Sequence, residues 1–489
     1  MRKPFDPDYA TALDAAEAIR TGVVSSVELT EHTFRRIDAH QPALNSYVYQ
    51  LRDEALAAAA KADNAIANGV RVGALHGVPS NVKESFGVQG RPCTWGMPQL
   101  AGASAPHNAT AVQRLLDSGA ILLGATNVPC TLMDGQSFND IYGRSNNPWD
   151  VERTPGGSSG GSAASLAAGM TFFSVGSDIG GSIRAPASFC GVYGHKPTVD
   201  IIPLTGHAPG GEFMPPGFST LMAVAGPMAR SAEDLDMGLA ILAGPEPPDA
   251  KAVRLALPPA RRTHLRECRV GFVLEDSAVP VCPETREVLE AAVRTIERTG
   301  AKIKKGWPKG FDFRELLDCY YFHLGAFDFS MTPPPAREIA RQNLDTKPAA
   351  FKRGALSTFA DWQAENIRRL ANRAMWENYF RDIDVFLSPT TFTTATRHDP
   401  TPADLRIVEF ADGTAHPFWN MVTYICPATL TGCPATTAPV GLTRTGLPVG
   451  IQITGPFYED ATPIRFAAML AREVGGFQPP PGYQRVTSA

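Results

Sequence analysis

The sequence lacks the short motifs that carry metal, redox and nucleotide chemistry. Its eight cysteines, at positions 93, 130, 190, 268, 282, 319, 426 and 433, form no CxxC pair. There is no HExxH, and the ten histidines do not cluster. These absences argue against a zinc centre or a dithiol redox site. Scattered thiols in so long a chain read as reduced side chains of a cytoplasmic protein. No GxxxxGK[ST] loop occurs, so the lysine of a P-loop phosphate cradle is missing. Nowhere do ~18 apolar residues run uninterrupted, and "MRKPFDPDYATALDAAEAIRTG" carries no apolar leader. No membrane span and no secretory signal are therefore expected. Runs of lysine and arginine with interleaved aromatics are also missing, and the net charge of −4 favours no polyanionic partner such as nucleic acid. The densest basic stretch, "ARRTHLRECR" from Ala260 to Arg269, reads as a solvated connection.

What the chain does have is material for a large core. Of its 489 residues 44% are hydrophobic and 19% charged, which rules against disorder. Residues 9 to about 70 read as helix after helix. "SSVELTEHTFRRIDAH" opens on serines, has an acidic first turn, and places Val27, Leu29, Phe34 and Ile37 at helical spacing. "LRDEALAAAAKADNAIANG" follows and ends on Gly69, a natural stop. From Leu75 onward, short apolar runs such as "AILLGATNVP" and "MTFFSVGSD" alternate with alanine-rich stretches and glycine turns, the pattern of an α/β core. Residues 203–220 and 244–260 are Pro- and Gly-rich and predict surface loops. Residues 311–380 read as mainly helical, and "DIDVFLSPTT", "ATTAPVGL" and "VGIQITGP" return to buried strands. The expected organisation is one domain over 1–489: N-terminal helices about 9–70, core about 70–245 and 265–310, a helical cap about 311–380, and a C-terminal core portion about 381–489.

Two glycine-serine loops stand out. "TPGGSSGGSAASLAAGM" holds four glycines and three serines between Gly156 and Ser162, and "GSDIGGSIRAP" follows from Gly176 to Pro186. A flexible linker is flanked by polar sequence, whereas these loops adjoin a helix-like segment running into a buried strand. Glycine loops also bind anions through bare N–H groups, which leaves a non-catalytic nucleotide module open. Gly156-Gly157-Ser158-Ser159-Gly160 matches the GxSxG elbow, which would make Ser158 a nucleophile with His398 or His416 downstream, but leaves the second loop unexplained. In that second loop two glycines directly precede Ser182, where consecutive N–H groups can meet an oxyanion. A serine needs a base. No histidine is close in sequence, so the candidate is Lys83 in "LHGVPSNVKESFGVQG". A lone lysine is ordinarily a solvated surface charge. Buried among hydroxyls it becomes a neutral base.

The segments "LHGVPSNVKE", "PGGSSGGSAASLAAG" and "GSDIGGSIRAPASFCGVYGHKPT" resemble the amidase signature family, and Ser158 and Ser182 stand 24 positions apart as in that family. The resemblance implies an α/β fold, a large mixed twisted β-sheet core covered by helices on both faces, with no metal or organic cofactor. It implies hydrolysis of amide C–N bonds. In that reading Ser182 is the nucleophile, Ser158 the relay held by a cis peptide bond, and Lys83 the general base. Ile179, Gly180, Gly181 and Ser182 line the oxyanion hole. Ser159 supports Lys83 or the loop, and Leu132 and Met133, with Ser158 and Ser159, contact substrate.

Substrate choice then rests on "CTLMDGQSF" (130–138), "PLTGHAPGGEFMPPGFSTLM" (203–222) and "CYYFHLGAFDF" (319–329). These offer Leu132, Met133, Phe213, Met214, Phe218, Tyr320, Tyr321 and Phe327, with no obvious paired arginine and aspartate anchors. The expectation is a small neutral hydrophobic or aryl amide, extending to carbamates or esters, handled by a monomer or homodimer. The alternatives are the glutamine-hydrolysing component of a tRNA-dependent amidotransferase and a catalytically silent binding protein.

Overall fold

The computed structural model describes residues 5–211, 219–332 and 336–483. Helices α1 (Ala12–Arg20), α2 (Ser26–Leu44) and α3 (Arg52–Ala67) open the chain. Ser25 accepts from the Glu28 N–H while the Glu28 carboxylate accepts from the Ser25 N–H, a capping box that starts α2 where the serines stand. Leu29, Phe34 and Ile37 are buried, and Gly69 turns the chain at φ 66°. The helical reading of residues 9–70 missed one element. Strand β1 (Tyr47–Gln50) lies between α2 and α3 at the sheet edge. Four residues are too few for periodicity to declare a strand, and pairing with a distant partner makes it one.

The remaining strands follow in order. They are β2 (Pro79–Lys83), β3 (Ile121–Thr126), the small pair β4 (Phe138–Asn139) and β5 (Gly143–Arg144), β6 (Phe173–Asp178), β7 (Tyr193–Lys196) and β8 (Val224–Ala229). Then come β9 (Arg269–Phe272), β10 (Lys302–Lys305), β11 (Val385–Pro389), the pair β12 (Ile407–Glu409) and β13 (Ala415–Pro417), β14 (Ala435–Leu442) and β15 (Pro448–Thr454). Eleven of them form one mixed sheet in the order β1-β3-β2-β6-β8-β7-β14-β15-β11-β9-β10. β2 runs parallel to both β3 and β6, whereas β6, β8, β7, β14, β15 and β11 pair antiparallel in turn.

Helices cover both faces because successive strand residues point to opposite sides. On β8, Ala225 and Ala229 join the large core, whereas Met228 joins a separate cluster. That second cluster packs helices α5 (Gly160–Ala167) and α6 (Arg184–Cys190), which follow α4 (Thr110–Asp117) in the chain. The large core takes α7 (Ala232–Leu242), α8 (Pro283–Arg298) and, from the far end of the chain, residues 464–470. The cap consists of α9 (Phe313–Met331), α10 (Arg337–Gln342), α11 (Ala349–Ala355) and α12 (Phe359–Tyr379). It packs Leu316, Cys319 and Tyr320 against Val422, Ile425, Cys426 and Leu430 around α13 (Cys426–Thr431). The basic stretch is internally engaged: Arg261 pairs with Glu459, while Arg262 and Arg269 converge on buried Asp384. None of the described helices is long and apolar enough to cross a membrane.

Candidate active site

The site forms where β2 and β6 end. The two strands are parallel neighbours, with Val82 opposite Val175, so their carboxyl ends lie side by side. An open sheet presents its crevice there. Lys83 is the last residue of β2 and is fully buried. Its Nζ lies 2.6 Å from Ser158 Oγ, 2.9 Å from Ser177 Oγ and 3.5 Å from the Ser177 carbonyl. Burial pulls the Lys83 ammonium down to about 7, and the negative charges of Asp178 and Glu84 oppose that fall without cancelling it. A buried lysine surrounded by hydroxyls exchanges a proton near neutrality.

Both glycine-serine loops reach this point. The first precedes α5, and its Gly157–Ser158 peptide bond is cis. Gly157 has no room for a side chain, since a Cβ there would stand 2.3 Å from the Asp134 carbonyl oxygen. The second loop is wound around a single carboxylate. Asp178 accepts from the N–H groups of Gly181 (2.9 Å), Ile183 (3.0 Å) and Arg184 (3.3 Å), and from the Arg184 guanidinium at Nε and Nη2. Burial alone would raise this carboxyl, but the Arg184 charge and the hydrogen bonds outweigh it and hold it at about 2. Gly181 is left-handed at φ 88°, and a Cβ on it would stand 2.1 Å from Ile425 Cδ1. The loops are joined where the Ser159 N–H donates to the Ser182 carbonyl at 3.0 Å.

This winding corrects one sequence expectation. Of the four N–H groups expected at an oxyanion, that of Gly181 is spent on Asp178. Those of Ile179, Gly180 and Ser182 carry no partner among the described residues, and all three residues line one cavity. Arg184 also donates to the Ile425 carbonyl, Gln452 and Thr429, tying the turn to the C-terminal core. Arg184→Leu would leave Asp178 ionised and unpaired in the interior, at a cost of about 3–5 kcal/mol. We expect a marked fall in melting temperature together with loss of any reagent labelling at Ser182. An unchanged melting temperature would refute this account of the turn.

The cavity beside Ser182 is lined by Leu132, Met133, Gly157, Ile179, Gly180, Tyr320, Tyr321, Phe351, Trp419 and Val422, among others. Thr131 and Leu132 both stand in left-handed conformations, at φ 56° and 62°. Ser182 is 8% exposed and borders this space, whereas Ser158 (1%) and Ser159 (0%) lie beneath it. The two serines expected at substrate are therefore covered. The Ser159 hydroxyl donates to the Ser177 carbonyl at 3.4 Å and supports the loop. Phe327 lines a different depression, because its position on α9 turns it away, and Phe213, Met214 and Phe218 lie outside the described residues. His398 and His416 do not line this cavity either. Burial pulls the His398 imidazole down to about 4, while the His416 ring lies tilted against Phe410 at 4.3 Å and meets Thr414.

The cavity is less purely apolar than expected. Lys347 and Asp404 line it as an ion pair at 2.6 Å, with Trp419 Nε1 donating to the same carboxylate at 2.8 Å. Asp134 also lines it and is held bidentate by Arg406. The two ion pairs join residues 57 and 272 positions apart in the chain, so no local pattern could show them. Reading by motif also missed Ser177, Asp178 and Arg184. Their only signal was proximity to "GGS", and none belongs to a short catalytic pattern.

A family model described as Amidase matches residues 28–463. The chain is 30% identical over 480 residues to a glutamyl-tRNA(Gln) amidotransferase subunit from Cyanothece sp., covering 90% of this chain and 95% of that protein. Among solved structures it is similar to a chain from a vestigial protein complex bearing on the origins of an s-triazine catabolic enzyme. That match has 27% identity and a TM-score of 0.81, and covers 96% and 100% of the two chains. A bacterial aryl acylamidase of the amidase signature family superposes with a TM-score of 0.79 at 24% identity over 96% and 97%, a likeness of fold. What sheet, loops and cavity define is an α/β enzyme that hydrolyses amides. The chain belongs to the amidase signature family.

Proposed function

We propose that the protein hydrolyses neutral hydrophobic or aryl amides through an acyl-enzyme on Ser182. The observation that carries this reading is the 2.6 Å contact between Ser158 and a buried lysine drawn down to about 7, directly under a cavity bordered by Ser182. Ser182 Oγ attacks the carbonyl carbon and passes its proton to Ser158 Oγ, whose own proton moves to neutral Lys83 Nζ. The negative charge on the former carbonyl oxygen meets the free N–H groups of Ile179, Gly180 and Ser182. Collapse breaks the C–N bond, and the proton returns along the same relay to the leaving nitrogen. Water then cleaves the acyl ester, with Lys83 as base again. The eight free thiols suit a cytoplasmic enzyme, and the continuous sheet suits one domain.

The substrate class follows from the wall. Leu132, Met133, Tyr320, Tyr321 and Phe351 can surround an aryl or alkyl group, and burying one contributes roughly 1.5–3 kcal/mol. The carboxylates that line the space are already matched, Asp404 by Lys347 and Asp134 by Arg406. A zwitterion would have to break one of those pairs. We expect an acetanilide or nitroanilide to be cleaved with higher kcat/KM than glutamine or acetamide, with carbamate esters of aromatic amines as an extension. Amine release from four substrates at equal concentration tests this. Faster ammonia release from glutamine than aniline release from an anilide would overturn it. That result would favour the second reading, glutamine hydrolysis as part of an amidotransferase like the relatives this chain resembles.

A further inference from the structure

Directly after Lys83 stands a second buried ionisable group. Lys83 ends β2, and Glu84 opens the turn that follows it. Lys83 faces Ser158, and Glu84 faces the segment that follows Cys93. The Glu84 side chain is fully buried. Its Oε1 accepts from the Thr94 N–H and the Thr94 hydroxyl, both at 2.6 Å, and its Oε2 accepts from the Trp95 N–H at 3.0 Å. Tyr142 approaches Oε1 at 3.5 Å. These bonds hold Trp95 and Gly96 in left-handed conformations, φ 52° and 66°. The Trp95 carbonyl, aimed by that turn, accepts from the Thr131 N–H at 2.8 Å. Thr131 leads into Leu132 and Met133, which line the cavity beside Ser182.

We propose that Glu84 is a positioning residue that couples the strand carrying the base to the cavity wall at Leu132 and Met133. This rests on the reading of Lys83 and Ser182 given above. One carboxylate does two things. Its geometry fixes the turn that holds the wall, and its charge acts on the adjoining Lys83. Burial pushes the Glu84 carboxyl up to about 7, against the hydrogen bonds from Thr94 and Trp95, so charge and wall respond together near neutrality. The other groups facing Lys83 are Asp178 and His207, the latter tilted against Phe86 and Trp95. Those facing Glu84 are Tyr142 and Tyr49, with Cys93 acting on both tyrosines.

The test compares Glu84→Gln, Glu84→Asp and Thr94→Val with wild type, measuring kcat and KM for an anilide across pH and fluorophosphonate labelling at Ser182. In Glu84→Gln, labelling persists and KM rises roughly three- to tenfold, as losing a charge-assisted acceptor implies. The acid limb of kcat/KM moves to lower pH, because Lys83 loses a neighbouring negative charge that favours its ammonium. Glu84→Asp keeps the charge but falls short by one methylene, so KM rises while the limb stays. Thr94→Val keeps the carboxylate and removes one donor, so KM rises. Wild-type KM in both Glu84→Asp and Thr94→Val overturns the proposal, even where Glu84→Gln does not fold. So does an unmoved limb in a folded Glu84→Gln enzyme. Absence of Ser182 labelling in the wild type refutes the underlying nucleophile instead and takes this proposal with it.

Discussion

Ser182→Ala is expected to reduce anilide hydrolysis by about 10⁴–10⁶-fold, the scale seen when a nucleophile is removed from a serine hydrolase. The variant should fold, because a hydroxyl bordering the cavity is traded for hydrogen without touching the Asp178 bonds that wind the turn. Intact-mass spectra of wild type treated with a fluorophosphonate should show one adduct, located on Ser182, and none in Ser182→Ala. The exposure of the two hydroxyls makes the assignment sharp: Ser182 borders the cavity, and Ser158 lies beneath it against Lys83. An adduct on Ser158 would instead restore the GxSxG elbow, although neither His398 nor His416, the histidines that elbow needs, lines the cavity.

The second large effect belongs to Lys83. With its ammonium drawn to about 7 by burial, the neutral base exists above that pH and is lost as pH falls through it. Activity should therefore climb through neutrality and stay high into mildly alkaline solution. Lys83→Ala should lose about 10²–10⁴-fold on amides. Esters should suffer less, since an alkoxide leaving group needs less protonation. Lys83→Arg is the sharper variant, because a guanidinium keeps the charge but does not deprotonate, and should be inactive across the whole pH range. Rates for Lys83→Arg that rise with pH as in wild type would show that another group is the base. His207, whose ionisation already feels the Lys83 charge, would be the first to examine.

Much of this molecule was legible along the chain because the relevant physics is local. The start of α2 is written in Ser25 and Glu28, three positions apart, and the turn that follows α3 in Gly69. Runs of buried residues such as Ile121–Thr126 and Phe173–Asp178 announced interior strands, since a strand covered on both faces has little exposed surface to make polar. The serines and glycines of the two loops and the lysine of β2 were recognisable as a set, because each chemical role demands a particular residue type.

What the tertiary structure alone decided is everything that depends on two distant segments meeting. β1 is a strand because β3 offers it a partner about 75 positions downstream. Which serine is reachable and which is covered follows from how α5 and α6 seat the loops, not from the loop sequences. Asp178 consumes the Gly181 N–H because the turn winds back on it, so that one of the four expected donors is withdrawn. Phe327 points away from the cavity while Tyr320 and Tyr321, on the same helix, border it. Helical phase relative to the core is set by packing and is invisible in composition. Lys347 with Asp404, and Arg406 with Asp134, were unreadable for the same reason. A charge is solvated or matched according to what the fold brings within hydrogen-bond reach, and here the fold brings together partners far apart in the chain.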